Sequence, residues 1–280
     1  MTAHALQVPS GPVDLAAYAT DVTPGSDLGK KKGKQALFAL GDELSDLQER
    51  LFAHGRTGSP QRILLVLQGM DTSGKGGTLR HTVGLVDPQG VRIKSFKAPT
   101  KEELSHDFLW RIRRAVPDPG YLGVFDRSHY EDVLIARVNE LASLEEIDRR
   151  YDAINEFERE LVEDGTVVLK CMLHVSKEEQ RARLLARLDN PDKHWKYEPG
   201  DIDSRLRWAD YQEAYALALE RTNTEHAPWY VVPSDRKWFR NLAVGQLLLA
   251  SLRGMDLGWP AADFDVDAER ARLLASDAST

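Results

Sequence analysis

The sequence predicts an α/β protein with three layers, α/β/α, in which helices cover both faces of a central parallel sheet. Short, uninterrupted apolar runs, such as ILLVL at residues 63–67, are typical of strands that are buried on both faces. These runs alternate with longer segments of helical periodicity, which favours parallel strands joined by crossover helices. The 280 residues, 42% of them hydrophobic, suffice for one large domain or two small ones.

The first third of the chain begins with an arm. Residues 1–28 mix Pro, Gly and small polar residues without a period, and we expect them to be mobile or loosely docked. The basic run GKKKGK at residues 29–34 then leads into apolar positions at helical spacing over residues 35–51, which predicts an amphipathic helix. After the strand at residues 63–67, a helix should start within residues 74–78 and run to about residue 86. A short strand over residues 91–96 follows.

Capping boxes mark three further helix starts, because a Ser or Thr and the Glu three residues later can satisfy each other's backbone amides. They are Thr100 with Glu103, Ser143 with Glu146, and Ser176 with Glu179. The first of these helices should end before Pro117, and the second near Glu163. The remaining expected elements are strands over residues 121–125, 166–175 and 229–232, a last helix over residues 238–252, and a tail after residue 259 that forms a surface helix or is disordered.

Composition excludes several classes of protein. No apolar run approaches the roughly 18 to 20 residues that span a bilayer, and the chain start lacks a basic segment followed by an apolar one, so we expect a cytoplasmic protein with no membrane partner. The net charge of −7 argues against general affinity for nucleic acid. Cys171, the single cysteine, lies in an apolar run and is interpreted as a buried structural thiol.

The segment GMDTSGKG at residues 69–76 follows a predicted strand and precedes a predicted helix, which is the context of a phosphate-binding loop. Gly74 and Gly76 allow backbone amides to turn toward phosphate oxygens, while the helix start and Lys75 add positive charge. The alternative is an ordinary Gly-rich turn. Gly76 replaces the Ser or Thr whose hydroxyl usually binds Mg²⁺, so the metal must be held by other groups.

Two aspartates are candidates for that metal. Asp71 lies inside the loop, where its carboxylate would face bound phosphates unless a cation intervened; the alternative is a residue that only caps the helix. Asp126 ends the predicted strand over residues 121–125, and ligands gather at the carboxyl ends of parallel strands. The next residue, Arg127, can grip a phosphate with its bidentate fork, unless it only forms a local salt bridge with Asp126.

Four segments together resemble the polyphosphate kinase 2 family, and the resemblance runs from about residue 29 to about residue 255. They are GMDTSGKGG at 69–77, FDRSHYEDVL at 125–134, DNPDKHWKYEPGD at 189–201 and EHAPWYVVP at 225–233. The resemblance implies a thymidylate-kinase-like P-loop kinase fold with a helical lid. It also implies Mg²⁺-dependent phosphoryl transfer between inorganic polyphosphate and nucleotides, with Mn²⁺ as an alternative metal. We therefore expect a phosphotransferase domain over residues 29–258, a lid at about 181–203 and a tail over 259–280.

Site residues can be carried over from this resemblance. It implies that Asp71 and Asp126 coordinate Mg²⁺, and that Lys75 and Arg127 contact phosphate and neutralise charge during an in-line transfer that needs no protein nucleophile. Further cations are candidates for gripping the polyphosphate chain, with a solvated basic helix face as the alternative for each. These are Lys34, Arg183, Arg187 and Lys193.

The form SHYED at residues 128–132 is similar to the members called class III, which accept both AMP and ADP. We expect Glu131 to govern the choice of acceptor, through a second metal or water that fills the space of a missing phosphate. The alternative is a surface Glu on the following helix. The resemblance further implies adenine or guanine nucleotides as substrates and a homodimer or homotetramer.

Two other functions compete with this one. An ATP-dependent nucleoside monophosphate kinase would share the loop, lid and sheet, and would differ in its donor. A non-catalytic nucleotide-binding switch would also need the loop, although a lid rich in Arg and Lys suits catalysis better. Nucleic-acid binding through the lid conflicts with the net charge and lacks interleaved aromatic platforms.

Overall fold

The computed structural model describes residues 3–277; residues 1–2 of the predicted arm and 278–280 of the predicted tail lie outside the described residues. Its centre is a parallel sheet of five strands in the order β2-β3-β1-β4-β5. The strands are β1 Arg62–Gln68, β2 Val91–Ser95, β3 Leu122–Asp126, β4 Thr166–His174 and β5 Trp229–Pro233.

Helices occupy most of the segments between and around the strands. They are α1 Lys30–Ala39, α2 Gly41–Arg56, α3 Lys75–His81, α4 Trp110–Arg113, α5 Glu131–Val138, α6 Leu144–Glu163, α7 Lys177–Leu188, α8 Gly200–Leu206, α9 Trp208–Thr222, α10 Lys237–Gly254 and α11 Val266–Asp277. The Ser143 and Ser176 hydroxyls cap α6 and α7 as predicted, each accepting a hydrogen bond from the backbone amide three residues later.

The side chains of β1 alternate between two hydrophobic cores, which makes the protein three layers thick. Leu64 and Val66 pack into a core with α5, α6 and α9. Ile63, Leu65 and Leu67 pack on the opposite face with α1, α2 and α10. The uninterrupted apolar run therefore reflects a central strand covered on both sides, and the predicted α/β class with a parallel sheet is confirmed.

Two helix predictions differ from the structure. The single helix expected over residues 35–51 is instead α1 and α2, which meet at Leu40, and α1 already begins at Lys30 within the basic run. Gly33 permits α1 to pack closely against α10, because a Cβ atom there would lie 2.1 Å from the Trp238 ring of α10. The helix expected to reach residue 86 ends at His81, where a 3₁₀ turn replaces its last turn.

The helix expected between the Thr100 capping box and Pro117 is wrong. The capping box forms, since the Thr100 amide donates to Glu103 Oε2 at 2.7 Å and the Glu103 amide to Thr100 Oγ1 at 3.2 Å. It starts only a 3₁₀ turn, after which His106 is extended and the side chain of Asp107 caps a new turn that leads into α4. A capping box fixes where a helix begins but not how long it continues.

The segment expected to be a mobile or loosely docked arm is held against the sheet. Leu6, Val8 and Leu15 are buried. The Val8 amide donates to the Trp229 carbonyl at 2.8 Å, and Val231 donates to Leu6 at 2.9 Å, so the arm pairs antiparallel with β5. A bridge this short leaves little periodicity in the sequence from which docking could be predicted.

The tail is helical, and the single cysteine lies in the core. The tail forms α11, whose side chains are exposed where they are described, so it is a surface helix over Val266–Asp277. The thiol of Cys171 is buried and unpaired, and burial raises its pKa. Between residues 3 and 277, no helix has both the length and the apolar character that a membrane crossing requires.

Candidate active site

The predicted phosphate loop, residues 69–74, connects β1 to α3 at the carboxyl edge of the sheet. Lys75 is the first residue of α3, and its Nζ donates to the carbonyl oxygen of Gly69 at 2.7 Å. The ammonium therefore folds back across the loop. Within the described residues no carboxylate lies at salt-bridge distance from Lys75, so its charge is available to a phosphate group.

Asp126 and Arg127 lie beside this loop because β3 is the neighbour of β1. Asp126 pairs with Leu67 in the register of the two strands, and the Arg127 amide donates to the Leu67 carbonyl at 3.1 Å. The Arg127 guanidinium donates to Asp71 Oδ1 at 2.9 Å. The ion pair that Arg127 forms is thus with the loop and not with Asp126. Three of the predicted site residues meet at one edge of the sheet.

Asp71 and Asp126 differ in the protein contacts of their carboxylates. Asp126 is half-buried, and within residues 3–277 its carboxylate has no hydrogen-bond or ion-pair partner, whereas one oxygen of Asp71 is engaged by Arg127. A partly buried carboxylate without a partner is unfavourable unless a cation compensates it. Carboxylate oxygens are the ligands that Mg²⁺ prefers. This donor pair therefore fits a Mg²⁺ ion that keeps most of its water or phosphate ligands.

Glu131 begins α5 and lines a cavity of about 80 Å³ together with Arg127 and two tyrosines of α9, Tyr211 and Tyr215. Burial raises the pKa of Glu131, and the charges of Arg127 and Lys75 offset part of that rise. Glu131 is thus not the solvated surface residue of the alternative interpretation. The tyrosines were missed because their spacing along α9 is that of an ordinary buried helix face.

Arg183 does not lie where the lid interpretation expected it. Its guanidinium is buried beneath the loop, where it donates to the carbonyls of Thr72, Ser73, Ser234 and Asp235 at 2.6 to 3.0 Å. Its Nε donates to Glu179 Oε1 at 2.8 Å. All of its donor groups are occupied by the protein, so Arg183 holds the loop in place and has no donor left for phosphate. The expected phosphate contact of Arg183 stays a prediction that this geometry does not favour.

Arg240 of α10 is a second buried arginine under the loop, and sequence reasoning missed it. It donates to the Ser73 carbonyl at 3.1 Å and to Asn241 Oδ1 at 2.8 and 3.1 Å, and no carboxylate of residues 3–277 lies at salt-bridge distance from it. Burial and the nearby charge of Arg183 lower its pKa to about 9. A buried cation without a counterion favours an anion at this position. The available signal was a polar Arg-Asn pair inside the apolar pattern of α10.

Two neighbouring glycines in the first turn of α3, directly after the loop, should respond in opposite ways to substitution. A Cβ atom at Gly77 would lie 2.5 Å from Arg240 Nη2, whereas one at Gly76 would meet nothing within 4 Å. We expect Gly77→Ala to lower the free energy of unfolding by about 1 to 3 kcal/mol through this clash. Gly76→Ala should raise it by up to about 1 kcal/mol, because Ala favours the helix. Thermal melts of both variants test this; equal shifts would show that Arg240 does not pack against Gly77.

A larger cavity of about 910 Å³ opens on the other side of the loop, between α1, α3 and α10. Its walls carry more positive than negative side chains. The cations are Lys30, Lys34, Arg80, Arg236, Lys237 and Arg240, against Glu179 and Asp235. Lys34 thus lines a cavity together with other cations, and it is not an isolated, solvated residue at the start of a helix. We call this space the basic cavity.

The other predicted lid cations differ from one another. Arg187 donates to the Lys196 carbonyl at 2.7 Å and to Asp201 at 3.2 Å, so it ties the lid turn together. Lys193 is exposed, and its charge contributes to the lowered pKa of Lys237 in the basic cavity, after burial as the main cause. Within residues 3–277 the Lys193 ammonium has no hydrogen-bond or ion-pair partner, so it is available to a phosphate chain, whereas Arg187 is engaged through Nη1.

Comparisons with known proteins identify the family that this chain resembles. A sequence model of the family described as polyphosphate kinase 2 matches residues 27–258. The chain is similar to an AMP/ADP-polyphosphate phosphotransferase of Meiothermus ruber, with 46% identity over 90% of this chain and 93% of that protein. It is also 39% identical to an ADP-polyphosphate phosphotransferase of Rhodopseudomonas palustris, over 89% of this chain and 88% of the relative.

A solved structure is also similar over nearly the whole chain. The polyphosphate kinase 2 of Arthrobacter aurescens TC1 superposes with a TM-score of 0.93 and is 56% identical, covering 96% of this chain and 95% of that one. The similarity therefore extends over the loop, the sheet and the lid together.

Proposed function

The chain belongs to the polyphosphate kinase 2 family, and from this we propose that it transfers phosphoryl groups reversibly between inorganic polyphosphate and nucleotides, converting AMP to ADP and ADP to ATP. Relatives that it covers almost completely are named for this reaction. The observation that carries the proposal is the position of the phosphate loop between two cavities of different character. One is large and basic, and the other is small and lined by Glu131 and tyrosines.

The basic cavity suits a polyphosphate donor. Polyphosphate carries charge on every unit, so a wall with several cations in a row can bind a chain of units without reading a base. Lys34 and Lys30 lie one helical turn apart on α1, and Arg80 and Arg240 face them from α3 and α10. An ATP-dependent monophosphate kinase would need a base-binding surface near the loop, and the density of cations here favours a phosphate chain.

The smaller cavity suits the acceptor nucleotide. The Arg127 guanidinium can bind the acceptor phosphate, and Glu131 lies beside it at the start of α5. The phosphate oxygen that attacks is already ionised, so no general base is required. A non-catalytic switch would not need a second phosphate site facing the loop.

The residues at the loop would act on charge and position. Lys75 and Arg127 would neutralise the oxygens of the transferred group, and the loop amides would hold the donor in line with the acceptor. Asp71 and Asp126 would hold Mg²⁺, or Mn²⁺ in its place, and the bound metal would supply further positive charge at the phosphates. Lys193 would close over the donor chain from the lid.

The direct test supplies AMP, Mg²⁺ and polyphosphate without ATP and follows ADP and ATP by chromatography. We expect both products, and a much slower reaction when ATP replaces polyphosphate as donor. Formation of neither nucleotide would contradict the proposal, and a preference for ATP would favour the monophosphate kinase.

Glu131 should influence the choice of acceptor. We expect Glu131→Asn to lower kcat/KM for AMP about tenfold more than for ADP, because the carboxylate supports a metal or water in the space of the missing phosphate. Glu145→Asn is the matched control, since Glu145 is an exposed residue in the first turn of α6. Steady-state kinetics on both acceptors decide the point. An equal loss on AMP and ADP would reduce Glu131 to a general supporting role.

We further propose that the protein is a cytoplasmic homodimer or homotetramer, acts on adenine and guanine nucleotides and does not bind nucleic acid. The family resemblance supports the assembly and the substrates, and the net charge of −7 supports the lack of nucleic-acid binding. Light scattering after size-exclusion chromatography would test the assembly.

A further inference from the structure

Four polar side chains form a cluster that is buried beneath the turn over residues 126–131. Glu158 of α6 and Lys170 of β4 are both 0% exposed, and Glu158 Oε2 accepts from Lys170 Nζ at 2.6 Å. Glu158 Oε1 accepts from the Tyr130 hydroxyl at 2.8 Å and contacts His129 Nε2 at 3.1 Å. A carboxylate only accepts, so Nε2 carries the proton. We call these four residues the buried hub.

The hub satisfies the charge that it buries. The Lys170 ammonium has three donors, and they meet three acceptors: Glu158, the Tyr130 hydroxyl at 3.0 Å and the Thr222 carbonyl at 2.7 Å. A buried ion pair is often no more stable than well-packed apolar residues of the same size, and its value can lie in specifying one geometry. The geometry specified here is that of the turn, because His129 and Tyr130 belong to it.

The turn carries two candidate site residues, one before and one after the three residues whose side chains point into the core. Ser128, His129 and Tyr130 are all 0% exposed, whereas Arg127 and Glu131, which flank them, line the smaller cavity. The Ser128 hydroxyl also accepts from Gln68 Nε2 at 3.1 Å. The three inward side chains thus force their two neighbours to face the loop.

Arg127 adds a reason why the turn needs such support. Its φ of 62° lies in the left-handed region, which is unfavourable for a residue with a side chain. A strained residue keeps its conformation only where the surrounding contacts impose it. The hub, together with the ladder contact of the Arg127 amide, supplies these contacts.

We propose that the buried hub is a positioning unit that holds the turn so that Arg127 keeps the geometry for phosphoryl transfer. None of its four residues lines either cavity, so the hub acts through Arg127 and not on the substrates. The expected effect on kcat rests on the proposed function. The expected effect on the conformation of the turn does not depend on it.

Tyr130→Phe tests the inference with a small change. It removes the hydroxyl that joins Glu158 to Lys170 and keeps the ring, which packs edge-on against Trp229 at 4.7 Å. We expect kcat to fall about tenfold while KM for AMP and polyphosphate changes by less than about twofold, since small displacements of a charge-stabilising group affect the transition state most. In an Arg127→Ala background, the same substitution should change kcat less than about twofold.

A second measurement does not depend on activity. Hydrogen–deuterium exchange of the free protein should show faster exchange over residues 126–132 in Tyr130→Phe, with the rest of the sheet unchanged. Arg62→Met is the control, because it removes a buried guanidinium and its ion pair with the exposed Asp164 at the amino end of the sheet, away from the turn. It should lower the melting temperature and leave both kcat and exchange at the turn unaltered.

The outcomes separate the possibilities. A lower melting temperature with unchanged kcat would make the hub purely structural and would overturn the inference. A kcat loss of equal size with and without Arg127 would overturn it as well, because the hub would then act through another group. A wild-type protein that does not use polyphosphate would refute the proposed function, and exchange at the turn would still decide whether the hub positions it.

Discussion

Lys75→Met should lower kcat for transfer from polyphosphate by at least about a thousandfold, the size of effect that loss of a charge-stabilising group in a phosphate site produces. Lys75 Nζ contacts the protein at one acceptor, the Gly69 carbonyl at 2.7 Å, and no carboxylate lies at salt-bridge distance within the described residues. Its charge therefore contributes little to the fold. The melting temperature should stay within a few degrees of the wild type, as circular dichroism would show.

The control for this variant is Lys177→Met. Lys177 is also the first residue of a helix, α7, but its side chain is exposed and lines a cavity to which residues 69–76 do not contribute. Full activity of Lys177→Met beside an inactive Lys75→Met would locate the effect in the loop. Retained turnover of Lys75→Met would mean that the phosphate site lies elsewhere.

Asp126→Asn should lower kcat at least about a hundredfold at low Mg²⁺ and raise the Mg²⁺ concentration for half-maximal rate at least about tenfold, because a charged metal ligand is lost. Asp126 is half-buried, and between residues 3 and 277 its carboxylate has no ion-pair or hydrogen-bond partner, so its removal breaks no protein contact. We expect the free energy of unfolding to remain the same or to rise slightly. Activity measured across a Mg²⁺ titration is the test.

Asp71→Asn provides the comparison, because Asp71 has a second partner. Its Oδ1 accepts from Arg127 at 2.9 Å, so the substitution should disturb Arg127 as well as the metal, and excess Mg²⁺ should restore less activity than in Asp126→Asn. Asp118→Asn, at an exposed position before β3, should behave like the wild type. An unchanged Mg²⁺ requirement in Asp126→Asn would remove this residue from the metal site.

The two buried arginines show why charge in a sequence is hard to interpret. Arg183 and Lys193 belong to one basic stretch, yet Arg183 donates to backbone carbonyls under the loop while Lys193 is exposed near the basic cavity. Arg240 lies in the last helix before the tail and reaches Ser73, 167 residues earlier in the chain. The sequence does not distinguish an arginine that binds phosphate from one that binds backbone carbonyls, because both are the same residue type at the same helical spacing.

From the sequence one can predict where the strands and most helices lie along the chain, the loop, and the candidate site residues near it, Asp71, Lys75, Asp126 and Arg127. These features are local, because apolar runs, glycine spacing and strand ends are encoded by residues that are consecutive in the chain. The parallel topology follows from the same alternation, since it leaves few ways to connect the strands.

The contacts between side chains and elements that are distant in the chain are seen only in the tertiary structure. It separated α1 from α2, docked the arm on β5, placed Arg240 under the loop and joined Glu158 to Lys170 beneath the turn that carries Arg127. These contacts link elements that are distant in the chain, and they form because a buried donor must find an acceptor wherever the packed fold supplies one. The spacing of residues along a single chain does not contain that information.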